Sequence, residues 1–420
     1  MPASETSPLL ENGNGVSERQ PLSHRMLAAI KAEGQPGWLQ SYRYFLFGSW
    51  LNILLLFVPL SVISHFANWD AALRFSFSFI AIMPLAKLLG EATEQLSLKL
   101  GQTLSGLLNA SFGNAVEIIV GIAALMQGEL RIVQTSMLGS ILSNLLLVLG
   151  CSFLAGGIYF KESNFQVTGA QTASSLMTLA CITLVIPAAY HSAQNRNSTA
   201  TFEHLLTLLN NEPNGSLPEL DDTKPGLLII SRGTALLLLF VYVLYLVFQL
   251  KTHADFFQAE GEEEEVEPGM NMVAAGSALL LVTVVTSFCA DYLVASIEEV
   301  AERYSIPKAF IGLILLPIVA NAAEHVTSVW MAMKDKMELT IGICVGSSIQ
   351  IASFVVPLLV IVGWIADRDL TLFFADFETI TLFISVMLVN LLIQDGKSNY
   401  MEGVMLITLY LIIALAFWVS

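Results

Sequence analysis

Apolar runs recur along the whole chain, separated by short polar stretches, and eleven of them are centred near residues 54, 82, 116, 146, 180, 239, 284, 320, 351, 385 and 411. Each comes close to the roughly 20 residues an α-helix needs to cross a bilayer. The pattern predicts an all-α polytopic membrane protein with about eleven transmembrane helices. Residues 1–43 are polar and lack an apolar core followed by a cleavage site, so no signal peptide is expected.

Composition agrees with a lipid-embedded chain. Of the 420 residues, 55% are hydrophobic and 13% charged, about half the charged fraction of a soluble domain. Cys151, Cys181, Cys289 and Cys344 all lie in apolar runs without metal-ligand spacing and read as small core residues. The formal net charge of −16 is concentrated unevenly. The stretch A-E-G-E-E-E-E-V-E contains Glu260, Glu262, Glu263, Glu264, Glu265 and Glu267. Such a run is ordinarily a solvated segment. It also divides the chain, with five or six spans before it and five after, as a linker between two fused halves would.

The two halves share a polar pattern. Asn114 and Glu117 are spaced like Asn321 and Glu324, and a Gly-Ser pair follows each Asn after 25 residues, at Gly139–Ser140 and Gly346–Ser347. T-E-Q at 93–95 and I-E-E at 297–299 lie in similar places upstream. Five spans per copy would turn the second copy over in the membrane. This is the inverted-repeat plan of many secondary transporters, whose sites lie between the repeats at the midplane.

An ionisable group within a span is costly and faces a partner, a cavity or a pathway. In each half the Asn and Glu occupy one helix face, and small neighbours would let another helix come close. Gly113 and Pro317 would loosen the helix and free carbonyls. Together the two faces offer two carboxylates, two amides and the hydroxyls of Ser140 and Ser347, with Asn144 and Gln350 a turn further on. An all-oxygen set with two negative charges suits a hard divalent cation, Ca2+ above all. Desolvation and mutual repulsion favour protonation of paired carboxylates, so such a pair would hold either protons or one divalent cation. The bland alternative for these residues is a network that only packs helices. His325 follows Glu324 and points about 100° away from it round the helix, where it would line the pathway or simply donate a hydrogen bond.

These residues resemble a known family. L-L-N-A-S-F-G-N-A-V-E (107–117), R-I-V-Q-T-S-M-L-G-S-I-L-S-N-L-L-L-V-L-G (131–150), N-A-A-E-H-V-T-S-V-W-M-A-M-K-D-K-M (321–337), G-S-S-I-Q (346–350) and the F-E-T at Glu378 are similar to the cation/proton exchangers of the calcium/cation antiporter superfamily, in particular the vacuolar calcium/proton exchangers of fungi. The resemblance implies one peripheral helix followed by two inverted five-helix repeats. The expected layout is a tail (1–43), a first helix (44–66), a first repeat (72–250) with a lumenal loop at 191–228, an acidic linker (251–270) and a second repeat (271–420). It implies that Glu117 and Glu324 bind Ca2+ and protons alternately, supported by Asn114, Asn321, Ser140, Ser347 and Gln350. The acidic run would gather Ca2+ on the cytosolic side. The family usually has Gly where this chain has Ala320, which adds a methyl at a point expected to be close-packed.

The expected function is therefore an antiporter, not an enzyme, that carries Ca2+ from the cytosol into an acidic vacuole against H+ and needs no cofactor. Its partners would be Ca2+, H+ and the bilayer, with no nucleic acid. Exchange of Mn2+ or Na+ is the near alternative; a calcium channel or an intramembrane enzyme is disfavoured, since no H-E-x-x-H, G-x-S-x-G or P-loop is present. Sequons at Asn197 and Asn214 favour a lumenal loop there, which leaves the N-terminus and acidic linker cytosolic. Glu5, Leu9 and Leu10 fit an acidic dileucine address read by a sorting adaptor. A homo-oligomer is compatible with all of this.

Overall fold

The computed structural model describes residues 36–100, 102–209, 224–253 and 268–419. The dileucine, the acidic run and Asn214 lie outside them. The first helix is α1, Trp38–Phe47, followed after a bend of 88° by Trp50–Phe66, whose second part is α2, Phe57–Phe66. A single helix over 44–66 was expected. Gly48 ends α1, and the Ser49 hydroxyl accepts from Leu51 N–H at 3.4 Å, so the break is capped locally.

The first half continues with α3 (Ala71–Ser97), α4 (Gln102–Phe112), α5 (Ala115–Met126), α6 (Leu130–Tyr159), α7 (Val167–Leu209) and α8 (Lys224–Val247). The second holds α9 (Met272–Tyr304), α10 (Lys308–Ala320), α11 (Ala322–Ala332), α12 (Met337–Ile365), α13 (Asp376–Leu392) and α14 (Tyr400–Val419). Among the described residues, seven helices are long and apolar enough to cross a bilayer, or nine if the two bent pairs count as spans. The other two of the eleven expected runs are the broken pair α4–α5 and the 17-residue α13. The segment 191–228, expected to be a loop, is helical through Leu209, so Asn197 lies on a helix.

Inverted topology is visible in how α3 and α9 meet. Met270, before the start of α9, donates its backbone N–H to Gln95 near the end of α3 at 3.1 Å. At the opposite end Arg303 pairs with Asp70, and Arg74 with Glu299. The first helices of the two halves therefore run antiparallel.

Backbone irregularities repeat with the constant offset that relates Asn114 to Asn321. Helices restart at Ala115 and at Ala322. Left-handed residues follow at Gly128 (φ 84°) and Asp335 (φ 60°). Wide π-turns then occupy Ser143–Val148 in α6 and Ile351–Val355 in α12. Pro317 and Pro357 each follow a π-turn, in α10 and α12, since proline lacks the N–H and crowds the carbonyl of the preceding turn. A two-residue antiparallel ladder, β1 (Ser163–Asn164) with β2 (Lys397–Ser398), ties the α6–α7 and α13–α14 connections together.

Candidate cation site

Glu117 and Glu324 stand in the first turns of α5 and α11, just beyond the two helix breaks. Those first turns have free N–H groups and a positive dipole end, which favours an anionic side chain there. Both line one cavity of about 800 Å3 together with Gly113, Ala323 and Thr327. Its outer part is bounded by Tyr44, Lys87, Glu91, Glu94 and Trp330. Lys87 pairs with Glu91 at 2.6 Å. The mouth therefore carries a surplus of carboxylates, a charge that raises the local concentration of cations.

Side chains from both halves are cross-linked behind the carboxylates. Ser347 Oγ lies 2.9 Å from Glu324 Oε1 and 2.7 Å from Asn114 Oδ1. Asn144 donates to Glu324 Oε2 at 2.8 Å and to Ser347 Oγ at 3.0 Å. Asn114 donates to Gln350 Oε1 at 2.7 Å. Ser347 owns one proton but faces two acceptors. All contacts are satisfied when Glu324 carries a proton and donates to Ser347, which donates to Asn114.

Asn321 donates to the backbone oxygen of Ser140 at 3.3 Å. Its own Oδ1, like Asn144 Oδ1, is buried without a partner. An unused amide oxygen on Asn144, whose nitrogen bonds the Glu324 carboxylate, is donor chemistry that a hard cation requires. Among the described residues no three His, Cys, Asp or Glu side chains gather as a metal cluster. A cation here would be completed by amide, hydroxyl and water oxygens.

The structure thus brings together Glu117, Glu324, Asn114, Ser347, Gln350 and Asn144. Ser140 contributes through its carbonyl and lines a small pocket that Glu117 shares. His325 is half-buried and does not line the cavity. Ala320 borders both pockets and packs, partly buried, against the hydrophobic core. Glu91 and Thr327 were not legible as site residues. A Lys-Glu pair one turn apart inside an apolar span was the available signal for Glu91.

The opposite face is closed by polar links. Arg131 pairs with the buried Glu378, and Lys308 with Glu298 at 2.9 Å. Arg368 holds Met126 O at 2.9 Å, and Gln127 holds Asp291 O at 3.1 Å.

Comparison with known proteins extends over most of the chain. A family model for the sodium/calcium exchanger protein matches residues 70–251 and 275–419. The chain is 46% identical over 408 residues to a vacuolar calcium ion transporter of Schizosaccharomyces pombe, covering 96% of this chain and 93% of that protein. It is 41% identical to vacuolar cation/proton exchanger 3 of Oryza sativa subsp. japonica, covering 91% and 88%. Among solved structures, the Ca2+/H+ antiporter protein YfkE shares 32% identity at a TM-score of 0.69, covering 88% of this chain and 99% of that one.

Proposed function

The chain belongs to the sodium/calcium exchanger protein family, and from that premise we propose that it exchanges Ca2+ for H+ across the membrane of an acidic organelle such as a vacuole. The observation that carries this reading is the pair Glu117 and Glu324, on equivalent helix starts in the two halves and open to one cavity. Ca2+ entering that cavity meets both carboxylates, while the unpartnered amide oxygens of Asn144 and Asn321 lie buried outside its lining. Two carboxylates holding a divalent ion cannot also hold protons, so loading one cargo expels the other. With Ca2+ gone, the Glu324–Ser347–Asn114 chain provides a place for a proton.

In this reading the cavity opens to the cytosol, since its mouth lies at the end of α3 beside the start of α9, which follows the acidic linker. The linker's glutamates then gather Ca2+ at that mouth. The paired face at Arg131–Glu378 is lumenal.

Energetics require at least two protons. A ten-thousandfold Ca2+ gradient costs roughly 5.5 kcal/mol. Across about two pH units each exiting proton releases roughly 2.7 kcal/mol. Two protons just balance that gradient, and a third would also draw on a lumen-positive potential at ~2.3 kcal/mol per 100 mV. The test is Ca2+ uptake into proteoliposomes with an acid interior. Uptake that needs the pH gradient, collapses with a protonophore and ignores Na+ supports the reading. Uptake that follows Na+, or persists without a pH gradient, overturns it.

A further inference from the structure

The repeat offset shows an unequal contact. On the closed face α6 and α10 touch backbone to backbone. A methyl group placed on Gly139 would lie 2.1 Å from the Leu313 carbonyl oxygen and 2.6 Å from Pro317 Cγ. One on Gly312 would lie 2.0 Å from Thr135 Oγ1. Only residues without a β-carbon allow that approach.

Gly139 and Thr135 correspond to Gly346 and Gly342 on α12. Gly312 and Leu313 correspond to Ser105 and Gly106 on α4. Here the contact is missing. A methyl on Gly342 or Gly346 would meet no atom within 4 Å. Both glycines border a separate cavity of about 110 Å3 shared with Tyr245, Gln249 and Glu338. Gly106 rests instead against the side chain of Leu250, one residue beyond Gln249. Glycine weakens a helix, and nothing in this arrangement requires it at Gly342 or Gly346.

We propose that α4 is a gate and that Gly342 and Gly346 are its landing surface. When the site is loaded, α4 moves off Leu250 and docks Gly106 over Gly346, as Leu313 now docks over Gly139. That closes the vestibule beside Phe112 and Gly113, while α10 lifts from α6 on the other face. The proposal rests on the antiport reading, because it assigns the glycines to the step that exposes the loaded site to the second compartment.

A substitution at Gly346 separates the resting fold from the transport step. Gly346→Ala meets open space in the present arrangement, so the variant folds with unchanged or raised thermal stability. In the docked arrangement its methyl strikes the Gly106 carbonyl, and uptake falls at least ~10-fold. 45Ca2+ binding to the detergent-solubilised protein stays at the wild-type level. Wild-type uptake by both Gly346→Ala and Gly346→Leu would overturn the proposal. A second arm uses Gly106→Cys with Gly346→Cys in a Cys344→Ala background. Oxidation should form the disulfide, stop uptake and be reversed by reductant; absence of the cross-link during turnover also overturns it. This arm reads the gate whichever ion drives exchange, so it stands apart from failure of the proton-coupling test.

Discussion

Ser347 of the second half lies 2.7 Å from Asn114 of the first, and the same hydroxyl lies 2.9 Å from Glu324. One oxygen therefore links a carboxylate to the helix break in the opposite repeat. Ser347→Ala would leave Asn114 Oδ1 and one Asn144 N–H without this partner. The lost contacts are expected to lower Ca2+ affinity or rate by about 10-fold. Ser140→Ala should do much less, because Asn321 bonds the Ser140 backbone oxygen and not its hydroxyl. Initial uptake rates of the two variants, at matched protein levels, compare them directly.

Glu378 tests the closed face. It is 1% exposed, pairs with Arg131 and accepts the Ala375 backbone N–H at 3.0 Å. Glu378→Ala removes both contacts and strands Arg131, whose side chain is 43% exposed and so recovers part of its hydration. The expected cost is about 2–3 kcal/mol. A thermal melt of the solubilised protein should fall by several degrees. An unchanged melt would show the pair to be idle.

The driving force gives a steeper test. With the membrane potential clamped, each pH unit adds ~1.4 kcal/mol per exchanged proton. The steady-state Ca2+ gradient in proteoliposomes should then rise by roughly 100-fold per pH unit for two protons, or 1000-fold for three. A slope near tenfold would mean one proton, too few for the proposed exchange.

Sequence patterning reveals much of this architecture because lipid imposes it. An apolar run near the span length has few alternatives to a helix, and a carboxylate in such a run needs a purpose. The paired Asn-x-x-Glu motifs accordingly locate Glu117 and Glu324. What stays hidden depends on backbone detail. Residues 191–209 look like loop because they are polar, yet they contain neither Gly nor Pro and continue α7 to Leu209. The break at Gly48–Ser49 depends on a local cap that an apolar count does not register. His325 sits beside Glu324 in sequence but outside the cavity, because adjacent helical residues point apart. Asn144 enters the network through its side chain to Glu324, a partner 180 residues away.

If Glu117 and Glu324 carry Ca2+ one way and protons the other, the two fluxes must move together. That is read most directly by following internal Ca2+ and internal pH in acid-loaded proteoliposomes for the wild type and for Glu117→Gln and Glu324→Gln. The wild type should take up Ca2+ while its interior alkalinises in fixed proportion. Each variant should keep its fold and lose both signals together, by roughly 100-fold or more. Full Ca2+ uptake by either variant, or uptake with no accompanying proton movement, would contradict the account.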